Sequence, residues 1–318
     1  MAAPKVIATS VVRSVHRGES HGGVYLVDLP SGSFEQVVDW DRMDIDWAGR
    51  GLDRGLRGIA FHRGLTYIAA SDAILAYDRS FRVVETFTNP YLRHCHEIDV
   101  DGDVLWATST GFDSLLALDL RRRRFTGGLC LRLGPLGRLK RRLAPSALPR
   151  GVPFDPGAAG GPEAADTVHL NNVVARGGEL YASATGLGCM IRLRGGEISR
   201  HARIPFKTHN VQPHLNGVLM NLTARNVVRY SALDGTVLEE WPIVTYDRAE
   251  LLHRDLPRDH ARQGFARGLC TTARGEIVAG SSPATISLYR HGDPRPKTSV
   301  NLTMDVRNAI HGLEIYPY

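Results

Sequence analysis

The chain is poor in the features that would announce most other architectures. Only four cysteines occur in 318 residues, Cys95, Cys130, Cys189 and Cys270. None lies in a CxxC pair, which excludes a disulfide framework or zinc-ribbon spacing and reads as reduced, buried thiols. Cys95, between His94 and His96, and Cys189, in a loop on the same side, are minor candidates for a soft metal ligand. No run of 18 apolar residues exists, so no membrane-spanning helix is expected. The N-terminus MAAPKVIATSVV lacks the charged, apolar and small-residue order of a secretory signal, and a soluble cytoplasmic protein is expected. There is no GxSxG elbow, no P-loop and no dinucleotide fingerprint. Helical periodicity is weak throughout. Aromatics make up only 7% of the chain, and although its net charge is +6, none interleaves the most basic run, Arg121 to Arg124. That run reads as a solvated turn, and nucleic acid is not an expected partner.

What is present is an internal repeat of roughly 40 residues, the period of a four-stranded propeller blade. Each copy opens on a polar pair followed by an aliphatic residue, then a turn, then a hydrophobic strand closing in small residues. The six openings are Arg57-Gly58-Ile59, His96-Glu97-Ile98, Asn171-Asn172-Val173, His209-Asn210-Val211, Arg267-Gly268-Leu269 and His311-Gly312-Leu313. The sixth copy ends after one strand, and KVIATSVV, GVYLVDL and SFEQVVDW at the other terminus supply its remaining three. Closure by both termini leaves no free sheet edge. The expected fold is therefore all-β, a six-bladed β-propeller with four strands per blade in a single domain over residues 1–318. A seventh blade would require strands hidden in the long insertions.

Around the axis the leading positions read Arg57, His96, Asn171, His209, Arg267 and His311. Three histidines on alternate blades form a candidate metal centre, because neutral imidazole is the commonest ligand for transition metals and three of them leave positions open for substrate. One divalent transition metal is expected, with Fe(II) or copper favoured and zinc or manganese as alternatives. Glu97 and Glu314 are candidate carboxylate partners for the histidine rings. His169 and His94, each two residues before the register, are candidates for a fourth ligand or a general acid or base, with Glu97 beside them in a catalytic role. Arg57 and Arg267 offer bidentate binding to a carboxylate or phosphate, unless an acid such as Asp53 neutralises them. Asn171, Asn172 and Asn210 complete the expected substrate-binding set. The plain structural alternative is a water-filled channel lined by mixed polar residues.

Three insertions, residues 39–56, 134–166 and 244–266, precede the blades that lack an axial histidine. All three enter first strands, so all are expected to cover the histidine side as lids. A short helix is expected around DRAELLHRDL.

In size and blade style the chain resembles the gluconolactonase and NHL-type six-bladed propellers. The lactonase members hold a divalent cation with Glu, Asn and Asp, where this chain has histidines, so their Ca²⁺-dependent hydrolysis is not expected here. The set His96, His209 and His311, with Glu97 and Glu314 nearby, resembles that of the carotenoid-cleavage oxygenases, which implies a mononuclear Fe(II) oxygenase. The expected function is a metal-dependent enzyme, an oxidoreductase, acting on a small anionic or carboxylate-bearing molecule. A hydrolase or lyase with a metal-activated water, and a non-catalytic scaffold or ligand-binding module, are the alternatives.

Overall fold

The computed structural model describes residues 5–47, 54–133 and 148–318. Its strands form six antiparallel sheets, each with its first strand innermost. Blade 1 comprises Ile59–His62, Leu65–Ala69, Ala73–Tyr77 and Val83–Thr88. Blade 2 comprises Ile98–Asp101, Val104–Ser109, Ser114–Asp119 and Arg124–Arg132, and Arg150–Phe154 adds a fifth strand to its outer edge. Blades 3, 4 and 5 open on Leu170–Arg176, His209–His214 and Leu269–Thr271. Blade 6 pairs Asn308–Ile315 with Lys5–Val12, then Gly22–Asp28 and Ser33–Trp40, so both termini close the ring. The described part of the insertion over 134–166 thus contributes an edge strand to blade 2.

Six hydrophobic cores fill the six seams between blades. The aliphatic residue two places after each leading position falls in a different core: Ile59, Ile98, Val173, Val211, Leu269 and Leu313. Each such side chain, taken out of water, contributes about 1.5–3 kcal/mol. This is why the position is uniformly aliphatic.

The polar pair itself is a β-bulge. In blade 6 the pairing runs Ala8↔Leu313 and then Ser10↔Ile310, so His311 and Gly312 together face Thr9. Blades 3 and 4 show the same shift between Leu170 and Asn172 and between His209 and Gln212. In blade 2, Thr108 Oγ1 accepts from the backbone N–H of both His96 and Glu97, at 3.0 and 2.9 Å. A bulge puts two consecutive residues against one and re-aims their side chains. Here the leading residue and its neighbour both turn toward the axis, at different depths.

Away from the axis, the basic run is a solvated turn in which three of the four arginines are paired. Arg121 pairs with Asp103, Arg122 with Asp119 and Arg123 with Glu85, at 2.9, 2.8 and 2.8 Å. All four cysteines are free and buried, and burial pushes the Cys95 thiol up to about 12. Neither Cys95 nor Cys189 lines the axial cavity. No helix among the described residues is long and apolar enough to cross a membrane.

Candidate functional site

A cavity of about 590 Å³ opens on the side where the chain enters the inner strands. His96, His209, His311, Arg57 and Arg267 all line it, as does His169. His94 does not; its carbonyl instead accepts from His96 Nδ1 at 2.8 Å. His169 is held in place by Asp113, whose carboxylate accepts from the backbone N–H of Thr167 and His169 at 2.7 and 3.1 Å. Its own Nδ1 lies 2.9 Å from Asp166, and its ring stands 5.3 Å from that of His96.

Two of the histidines have their tautomer fixed in the same way. His209 Nδ1 lies 2.9 Å from Thr223 Oγ1, and that hydroxyl donates to the Ala266 carbonyl at 2.9 Å. A hydroxyl has one proton, so it must accept from His209 Nδ1–H, leaving Nε2 as a bare acceptor. His96 Nδ1 likewise meets Thr110 Oγ1 at 2.9 Å, and Thr110 donates to the Leu170 carbonyl. Each threonine stands fourteen residues after its histidine. In blade 6 the matching position is Val11, so His311 lacks this partner. His209 is 6% exposed, and its Nε2 has no hydrogen-bond partner among the described residues.

The electrostatics of the cavity are those of an anion site. Six cations line it, Arg13, Arg57, Lys207, Arg258, Arg262 and Arg267, against two carboxylates, Asp166 and Asp259. Burial holds His96, His209 and His311 well below the usual imidazole range. Arg57 then adds to the effect at His96, and Arg267 at His209 and His311. All three rings are therefore neutral at pH 7.

The described residues do not show the expected three-histidine metal centre. Among the described residues no group of three His, Cys, Asp or Glu side chains is placed to hold a metal ion. The His96 and His311 ring centroids stand 6.4 Å apart. The guanidinium groups that act on all three rings also oppose a cation. The same charges favour the anionic partner expected of Arg57 and Arg267.

Glu97, Glu314, Asn172 and Asn210 lie elsewhere, in a second chamber of about 350 Å³ further down the axis. Glu97 accepts from Asn210 Nδ2 at 3.1 Å, with no hydrogen bond between either glutamate and a histidine ring among the described residues. Asn172 Nδ2 reaches the Val211 carbonyl at 2.5 Å, and Asn171 Nδ2 reaches the Thr208 carbonyl at 3.0 Å. These contacts join blade 3 to blade 4, and neither Asn171 nor Asn172 lines the histidine cavity. The bulge explains the displacement, since the second residue of each pair is turned below the first.

Among the described residues, the insertions contribute to the cavity Asp166 from the second and Arg258, Asp259, Arg262 and Phe265 from the third. The described part of 39–56 stays outside it, and Asp53 lies outside the described residues. The expected helix is a single turn, Arg248–Glu250, capped by Asp247. Four contributors carry no repeat signal or only a weak one: Arg13 from the end of a terminal strand, Lys207, Arg262 and Phe265. Lys207 and Phe265 do share the position of His169, two residues before the register. Lys207, like His169 and His94, has a positive φ there, at 62°, 58° and 52°.

No family model matches this chain, and no curated protein does either. Among solved structures it is similar to a streptogramin B lyase, at 15% identity over 75% of this chain and 70% of that one, with a TM-score of 0.44. It is also similar to the computationally designed Ika8 protein, at 8% identity over 97% and 91%, with a TM-score of 0.49. A protein from Lactobacillus plantarum is 9% identical over 93% and 81%, with a TM-score of 0.48. At these scores the neighbours say nothing of this chain's chemistry, which its own residues must supply.

Proposed function

We propose that the axial cavity binds a small molecule through a carboxylate or phosphate and acts on it by proton transfer through neutral imidazoles. The observation that carries this reading is His209 Nε2, a buried acceptor without a partner among the described residues, in a cavity lined by six cations and two carboxylates. Arg57 and Arg267 hold the anion. His209 Nε2 takes a proton from the bound molecule or from a water beside it, and the guanidinium groups stabilise the negative charge that develops. Hydrolysis and elimination both fit this arrangement. A general base so placed is worth about 10²–10⁴ in rate.

The same atom favours a second reading, in which a transition metal completes the site, as the oxidoreductase expectation requires. A neutral ring with Nδ1 held by a hydroxyl and Nε2 bare is the form that ligates. Calorimetric titration with propionate and with inorganic phosphate, alongside elemental analysis of the purified protein, separates the two. The first reading predicts saturable anion binding without metal, weakened about tenfold or more in Arg57→Gln and Arg267→Gln. Near-stoichiometric metal in the parent, lost in His96→Ala, His209→Ala and His311→Ala, would favour the second.

A further inference from the structure

We infer that His214, His291 and Glu239 form an acid-sensitive latch across the seam between blades 4 and 5, closed by one shared proton and opened when both rings are charged. The inference is independent of what the cavity binds. His214 ends the strand His209–His214, so it lies at the far end of that strand from the cavity. His291 follows Thr285–Arg290, the third strand of blade 5, and Glu239 lies in Val237–Pro242, the outer strand of blade 4. The two Nε2 atoms are 2.9 Å apart, and His291 Nδ1 lies 2.7 Å from Glu239 Oε1. The rings are within 10° of parallel, with centroids 5.2 Å apart. That exceeds the nitrogen separation by about two ring radii, so the nitrogens meet head-on. A metal ion on the line between them, with bonds of about 2 Å, would need roughly 4 Å. The gap fits one proton.

Glu239 acts only as an acceptor. Its second oxygen takes the Gly292 N–H at 2.9 Å, and although burial works the other way, that N–H and the His291 ring hold the carboxyl below its ordinary value. His291 Nδ1 therefore carries a proton. In the neutral pair His291 Nε2 is bare, and His214 Nε2–H donates to it. One added proton still leaves a single N–H between the two nitrogens, whichever ring holds the charge. A second sets N–H against N–H, and the bond becomes a repulsion between two cations.

The surroundings oppose that second charge. Burial lowers His214, the His291 ring adds to the effect and Arg176 of blade 3 contributes, with Glu239 acting against them. Tyr230 stands edge-on to both imidazoles, at 5.4 and 5.5 Å, and its hydroxyl goes to Asn216. On the blade 5 side Arg274, Glu276 and Arg290 border His291, and Glu276 is taken up by Arg290 at 2.9 Å and Lys297 at 3.6 Å. Trp241, edge-on to His291 at 5.4 Å, donates its indole N–H across the same seam to the Arg290 carbonyl at 3.0 Å. It is 1% exposed and reports whether the seam is shut.

Nitrogen NMR of the histidine rings, with hydrogen exchange at the Trp241 indole, tests the latch on the full chain from pH 7.5 to pH 4.5. Exchange is expected to accelerate at least about tenfold beyond its intrinsic pH dependence where the second ring charges. The Leu56 amide, which donates to the Ser10 carbonyl between blades 6 and 1 at 3.0 Å, should not follow. His214→Gln should hold the seam closed, because its amide can donate to His291 Nε2 or accept from it without a charge, and should keep the acceleration within about threefold. Glu239→Gln removes the negative charge that favours protonated rings, so opening should move to lower pH, whereas loss of a merely structural contact would move it higher. Both rings charged with Trp241 still protected, equal acceleration at Trp241 and Leu56, acceleration undiminished in His214→Gln, or opening at higher pH in Glu239→Gln would each overturn the latch.

Discussion

The two chambers of the axial channel are built from the same six bulged strands, yet they carry opposite chemistry. The upper one is lined by histidines and arginines, the lower one by Glu97, Asp99 and Glu314 with Asn172, Asn210 and Gln212. A shift of one to three residues along the strand changes the sign of the lining. Each chamber relieves its own crowding through protons. Burial raises Glu97 well above the usual carboxylate range, with Glu314 adding to it, and raises Glu314 to about 8, with Asp99 adding. Burial moves the histidines the other way, so one chamber retains protons and the other sheds them. Among the described residues, the segments from the insertions line the chamber that sheds them and not the lower one. An open acceptor beside bound charge is useful there, whereas the lower carboxyls serve the seams: Asp99 accepts from Ala175 N at 2.8 Å, tying blade 2 to blade 3.

The contrast can be broken at its hinge. A Cβ on Gly312 would run into the Arg57 carbonyl and the Thr9 hydroxyl at the seam between blades 6 and 1. Gly312→Ala should therefore cost about 3 kcal/mol, read from denaturant unfolding, and displace Arg57 and His311 together. A melt like the parent's would show that the ring tolerates slack.

The lower chamber can be tested alone. Glu314 has an ordinary value of 4.5 and rises to about 8 in the folded chain. The stability held by its neutral form is complete below pH 4.5 and is lost as pH rises toward 8. Glu314→Gln should match the parent near pH 4.5 and exceed it at pH 8.5, on the order of 2 kcal/mol. The upper chamber has the opposite slope. Below pH 6.5 the unfolded chain takes up protons that the buried histidines refuse, so stability falls as pH falls. His209→Gln should flatten that acid limb by about 2 kcal/mol at pH 5. The smallest expected effect is that of Thr223→Val, which removes the hydroxyl holding His209 Nδ1. It should cost about 1 kcal/mol and let nitrogen NMR detect both ring tautomers, where the parent shows one.

Much of the upper ring was legible because the repeat is enforced by packing. The aliphatic residue of each opening must fill a seam, so its register is strict, and Arg57, His96, His209, Arg267 and His311 follow from it. The bulge was not legible, since an inserted residue leaves the hydrophobic pattern intact. Glu97, Asn172 and Asn210 therefore read as neighbours of the histidines, although they face the chamber below. His94 and His169 carry the same sequence signature, and only the Asp113 contacts, made across 56 residues of chain, bring His169 to the cavity. Arg13 and Arg262 come from segments outside the repeat, and only folding brings them together.

The central claim is that the upper chamber is an anion site whose imidazoles are neutral. Titration of the parent with propionate at pH 7.5, in two buffers of different ionisation enthalpy, tests it directly. The expected result is saturable binding whose heat is the same in both buffers, because the neutral imidazoles take up no proton as the anion arrives, and loss of binding in Arg57→Gln. Binding that is absent, or that persists unchanged in Arg57→Gln, would contradict the account.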